Sequence, residues 1–168
     1  MSFSLFRCSI GVAFASLLVA CSQGSDSTAA GSGSGATDTA NYNLTVDMQE
    51  FMAHVMEPIA DQLWERAGWV LDQHEGYYEL YPTSDEEWEV AHNYSVTMVE
   101  MGNLLLLPGR IQAGPWQTYA EAISTVGRSL MDATDAQDKE AFFQAGAQLY
   151  SVCTACHQAY NPEILSKF

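Results

Sequence analysis

Near the C-terminus of this 168-residue chain, Cys153-Thr154-Ala155-Cys156-His157 sets two thiols three residues apart with an imidazole directly after them. On a helix these three side chains share one face within about one turn. Each sulfur can then add to a vinyl group of a haem while the histidine reaches the iron from below. The C-x-x-C-H spacing therefore predicts covalent attachment of one haem c. Two other chemistries use the same residue types. A closed zinc site wants four ligands, and no second C-x-x-C or H-x-x-x-H follows. A thioredoxin-like pair opens a helix after a strand, whereas this one stands near the end of a helical stretch.

The elements that must position these residues can be read from periodicity. Met48, Met52, Val55, Ile59 and Leu63 mark an apolar stripe over about 46–67, with Pro58 expected to kink or split the helix. Ser84-Asp85-Glu86-Glu87 matches a capping box, with Ser84 as cap and Glu87 reaching back, and opens a second helix that Pro108-Gly109 stops. Gly114-Pro115 opens a third, which frays near Asp132, and Thr134 or Asp135 is expected to cap the fourth. There Phe142, Gly146, Leu149, Cys153, Cys156 and Tyr160 form one stripe that Asn161-Pro162 ends, so the two thiols belong to the core-facing side. Trp64, Trp88, Trp116, Phe142 and Tyr160 read as core aromatics. Strand signals are poor throughout, and the link 68–83, rich in aromatics, is expected to cover one end. The fold class expected is all-α: an antiparallel four-helix bundle with the haem near one end.

The N-terminus speaks to location. Residues 1–20 carry Arg7 and then an apolar run from Ile10 to Ala20, a secretory signal too short to span a bilayer. Leu18-Val19-Ala20-Cys21 resembles the lipobox of bacterial lipoproteins, and the resemblance implies cleavage before Cys21 and acylation of its thiol. The alternative is an ordinary cleaved signal with a free cysteine after it. Residues 21–42, mostly Ser, Gly, Thr and Ala, read as a lipidated flexible tether of ~20 residues reaching roughly 25 Å. Residues 43–168 are one domain's worth of chain. Export supports the haem reading, because bacterial thioether attachment takes place outside the cytoplasmic membrane. The expected place is the periplasmic side of the cell envelope, and Ser22 rather than aspartate after Cys21 favours the outer membrane over the inner.

The chain has 21 acidic and 6 basic residues, a net charge of −15, and loss of Arg7 makes the mature form one unit more negative. That balance argues against nucleic acid and against adsorption to anionic lipid. It fits a basic or weakly charged periplasmic or membrane redox protein, or simply a well-solvated surface.

A four-helix domain with C-x-x-C-H on its last helix, near the C-terminus, resembles the cytochrome c-prime family of class II c-type cytochromes. Cys153 to Tyr160 carries the specific part of the likeness, supported by Met52 to Asp61 and by Glu100 to Arg110. The resemblance implies covalent haem on Cys153 and Cys156 and His157 as proximal iron ligand. Many family members carry a basic residue four positions after that histidine; here the position is Asn161, so no proximal role passes to it. Members often dimerise through the first two helices, and nothing in this sequence decides between monomer and homodimer.

In an antiparallel bundle the end of the fourth helix lies beside the start of the first, where Met48, Gln49, Phe51 and Met52 stand. Met52 is the first choice for a distal ligand and Met48 the second; the alternative is that both methionines fill core space. His54, His74 and His92 read as surface or satisfied histidines. Methionine ligation implies a one-electron carrier. Its absence implies a five-coordinate haem module binding NO or CO. A peroxidase-like enzyme would need a distal acid/base group, and only His54 lies near the expected place.

Overall fold

The computed structural model describes residues 41–167. Asp47 starts the first helical segment: its carboxylate accepts the Glu50 N–H at 2.9 Å, satisfying one of the donors a helix start leaves free. Three pieces then run on without a break in right-handed helical backbone, α1 (Met48–Phe51), a π-helical turn (Met52–Met56) and α2 (Glu57–Trp64). The cause of the π turn stands just after it. Pro58 has no N–H, and its ring collides with a carbonyl four residues back in a regular α-helix. One extra residue in the preceding turn lets the Glu57 N–H reach back five residues to Met52 O.

That extra residue shifts the phase of everything downstream. The fully buried side chains are Phe51, Met56, Ala60 and Leu63, at spacings of five, four and three. The stripe expected from periodicity is therefore corrected. Only Leu63 of that set is fully buried, while Met48, Met52, Val55 and Ile59 are half-buried beside the core.

The link after α2 folds into an antiparallel hairpin, β1 (Trp69–Asp72) and β2 (Gly76–Glu79), which corrects the expectation of no strands. Trp69, Val70, Tyr77 and Tyr78 favour extended backbone. The Asp72 carboxylate accepts from His74 N at 2.7 Å and Glu75 N at 3.0 Å, and Gly76 takes φ +77° to close the loop. The hairpin lies against the start of the last helix through Trp69 stacked on Phe143 and an ion pair from Lys139 to Glu79 at 2.6 Å.

Ser84 caps α3 (Asp85–Leu105) by accepting from Glu87 N at 3.2 Å. Glu87 does reach back, one residue further than a capping box requires: its carboxylate accepts from Thr83 N and Thr83 Oγ1. Ser84→Ala is expected to lower stability by about 1 kcal/mol in denaturant melts. α4 (Trp116–Asp135) begins directly after Pro115 and continues past Asp132. The cap of α5 (Lys139–Tyr160) is Asp138, which accepts from Ala141 N at 3.0 Å, not Thr134 or Asp135. Thr134 is instead buried in α4, beside the His92 ring at 3.1 Å, and the chain turns at Gln137, whose φ is 51°.

The described chain is mostly helical. α2 packs on α3 and α5, α3 on α4, and α4 on α5. Neighbours run antiparallel: Trp116 on α4 donates to Leu105 O at one end of α3, while His92 meets Thr134 and Asp135 towards the other. Small residues set the closest approach, with Gly102 against Ala120 and Ser124, and Gly127 against Val99. Phe142, Leu149 and Leu130 are wholly buried at the centre, and Trp88 meets Phe142 edge-on. Trp116 is also core, whereas Trp64 and Tyr160 are half-buried.

Candidate functional site

α5 changes character along its length. Phe142, Ala145, Gly146 and Leu149 are buried as a helix in a filled core requires. Beyond Leu149 no residue of α5 is fully buried: Val152 through His157 are all half-covered, on every side of the helix. The first rod also carries half-covered apolar side chains, Met48, Met52, Val55 and Ile59, off its filled face, and its Glu57 lies close enough to His157 to act on it electrostatically. Two apolar surfaces thus remain only partly used, one of them carrying Cys153, Cys156 and His157. Where the core is filled, α2 and α5 are joined by the Trp64 indole, which donates to Gly146 O at 2.9 Å and meets Tyr150 edge-on.

Tyr160 anchors the end of α5. Its hydroxyl donates to Ala113 O at 2.8 Å, and its ring packs against Trp116 and Tyr119. Gly114, at φ +85°, keeps the loop clear of that hydroxyl. Asn161 closes the helix by donating its N–H to His157 O at 2.8 Å.

Burial sets the protonation of the three donors. It pushes the Cys153 thiol up to about 11, with the neighbouring Cys156 adding to the shift, and it raises Cys156 as well. It lowers His157 below the ordinary imidazole range, partly offset by the Glu57 carboxylate on α2. Both thiols are free, so the neutral pH form of the site is two thiols and a neutral imidazole with a lone pair to give.

The two rival chemistries ask for other surroundings. A reactive dithiol is favoured by a depressed thiol, at a helix N-terminus or beside a cation; here burial raises both thiols, which lie in the last turns of α5. Among the described residues no three His, Cys, Asp or Glu side chains are grouped as a metal cage. Thiols side by side on one helix face, a neutral imidazole next to them and uncovered apolar surface nearby do fit a covalently held haem. Comparison of the chain with protein-family models, curated proteins and solved structures finds no match.

The other candidates fall as follows. Met48 and Met52 are half-buried against the core on the open side of the first rod, while Gln49 is exposed and Phe51 buried. His54 is 71% exposed and lies 3.7 Å from Glu50. His74 is exposed in the hairpin loop, and His92 is tied to Asp135 at 3.0 Å. Cys21, the acylation candidate, lies outside the described residues, as do the signal and nearly all of the tether. Among the described residues no helix is long and apolar enough to cross a membrane. Glu57 was not singled out by the sequence; its neighbourhood with His157 follows only from how α2 lies beside α5.

The raised Cys153 thiol has a measurable consequence for the haem-free chain. The folded state holds that proton more tightly than the unfolded state, so the contribution is complete below the ordinary thiol value of 9.0. Stability is expected to fall as pH rises from there through about 11. Comparing denaturant midpoints of the wild type and Cys153→Ser across this range isolates the thiol, and the steeper alkaline loss should belong to the wild type.

Proposed function

We propose that this protein is a one-electron carrier of the cell envelope, an antiparallel four-helix bundle holding one haem c in the manner of the cytochrome c-prime family. The observation that carries the reading is the C-x-x-C-H segment on the half-covered end of α5, with Glu57 of the first rod near His157. Cys153 and Cys156 hold the group by thioether bonds, and His157 supplies the proximal ligand. When bound, the haem supplies a reversible one-electron change at iron.

The chain's own residues do the rest. Burial keeps His157 neutral, so its nitrogen lone pair is available without first losing a proton. Tyr160 and Asn161 fix the last turn that carries it. Val55 and Ile59, half-buried apolar side chains of the first rod, would offer hydrocarbon rather than water, which favours a raised potential. Met52 is the distal ligand of this proposal and Met48 the second choice. The exposure of His54 supports a carrier over a peroxidase, since a distal acid/base group must be held against the iron. Acylation of Cys21 would anchor the domain on the periplasmic side of the envelope, preferably at the outer membrane, with an acidic surface suited to a basic or weakly charged redox partner.

The ligand assignment is tested by Met52→Leu and Met48→Leu made separately. Met52→Leu is expected to convert a low-spin centre to high spin and to lower its midpoint potential, with Met48→Leu leaving the spin state unchanged. If neither replacement alters the spin state, methionine ligation is wrong and the five-coordinate NO- or CO-binding module takes its place.

A further inference from the structure

Three of the four most exposed large apolar side chains among the described residues stand on the hairpin. Leu71 is 80% exposed, Tyr77 62% and Trp69 58%. The register sets Leu71 opposite Tyr77 and Trp69 opposite Glu79, so all three apolar residues stand on one face of the hairpin. That face is held in place by the Trp69–Phe143 stack and by the Lys139–Glu79 pair. Two turns along α5 from Phe143, Tyr150, 61% exposed, continues the same side and ends one turn short of Cys153.

Charge selects what can sit there. The hairpin itself carries three carboxylates, Asp72, Glu75 and Glu79, and no lysine or arginine; among the described residues the one cation paired with it is Lys139, which meets Glu79 at 2.6 Å. Asp72 and Glu75 flank the tip of the hairpin beside Leu71 and Tyr77. A second copy of this chain, or an anionic membrane, would bring like charge against this rim. An apolar centre with a negative rim suits a surface of opposite charge built around hydrocarbon.

We propose that the hairpin face is a docking surface for a basic amphipathic protein segment, which seats apolar side chains on Leu71, Tyr77 and Trp69 and sets lysines or arginines against Asp72 and Glu75. Docking rests on the hairpin alone and stands whether or not α5 carries a haem. The Trp69–Phe143 stack fixes the face before the partner arrives, so little ordering is needed on this side of the interface.

The test uses the full chain and a synthetic leucine–lysine peptide with its leucines at helical spacing, read by calorimetry. The wild type is expected to bind it, and Leu71→Ser with Tyr77→Ser is expected to weaken binding about tenfold or more at unchanged protein charge. Raising the salt concentration and Glu75→Lys should each weaken it as well. The Glu75→Lys variant decides the matter if the serine pair disturbs the hairpin. Equal binding by the serine variant and wild type, or equal binding of a leucine–glutamate peptide, overturns the proposal. A wild type that sediments as a dimer, becomes monomeric in the serine variant and ignores the peptide overturns it too, in favour of self-association.

Discussion

Replacing both Cys153 and Cys156 by serine is expected to abolish covalent haem entirely in protein produced with a haem-attachment apparatus. Each thioether forms when one thiol adds across one vinyl group, so each single replacement should leave one bond. Denatured wild type and both single variants should retain haem colour after acidic organic extraction, and the double variant should lose it. The two thiols are only half-covered, so serine in their place removes little apolar burial and the chain should still fold. A helical circular dichroism spectrum for the double variant separates loss of attachment from loss of fold. His157→Ala, by contrast, should retain both thioethers and change only the optical signature. Haem retained by the double variant would contradict the assignment of the two cysteines.

The second large effect is on stability. Gly102→Val is expected to destabilise the protein by about 3 kcal/mol or more. A Cβ at Gly102 would overlap Ser124 Oγ and lie 2.6 Å from Ala120 O and 3.1 Å from Ser124 N. The hydroxyl can rotate away only by giving up its bond to Val99 O at 2.8 Å, and the Ala120 carbonyl belongs to the backbone of α4. The helices must therefore separate, losing contact along their whole seam. Gly146 provides the contrast. It is equally buried, yet its Cβ would meet the nearest atom, Trp64 Cδ1, at 3.5 Å, an ordinary contact. Gly146→Ala should cost little, because alanine's better helix propensity offsets any crowding. Urea melts of the two variants against wild type check both expectations.

The parts of the fold legible in the sequence are those governed by strong local chemistry. Ser84 caps α3, Pro108-Gly109 follows its end, and the Phe142–Leu149 part of the last stripe is buried as periodicity requires. Three features were not legible, each for a physical reason. A π turn adds one residue to a helix, and an apolar pattern cannot reveal such an insertion, because methionines on both sides of the shift still recur at helical spacing. Pro58 was the available signal; it pointed to a disturbance without saying that Phe51 and Met56 would share a face. The hairpin carries apolar residues on both of its faces and leaves most of them exposed, so it lacks the alternation by which half-buried strands are recognised. The boundary between α4 and α5 depends on Gln137 taking a positive φ, a conformation that sequence assigns more readily to glycine or asparagine.

The candidate site was legible in its chemistry and less so in its surroundings. Cys153, Cys156 and His157 stand where helical spacing puts them, in the last turns of α5. Their half-covered state goes with the loss of full burial after Leu149, and the half-covered methionines of the first rod go with a burial phase that the π turn shifts. Neither can be deduced from a motif.

The most direct test of the carrier reading is the optical spectrum of the reduced, haem-loaded protein before and after addition of carbon monoxide. For a carrier, sharp low-spin bands that the gas leaves unchanged are expected, because a protein ligand, Met52 first, would fill the distal position. Broad high-spin bands that shift with the gas would contradict it, and would make this domain a gas-binding module with an open iron.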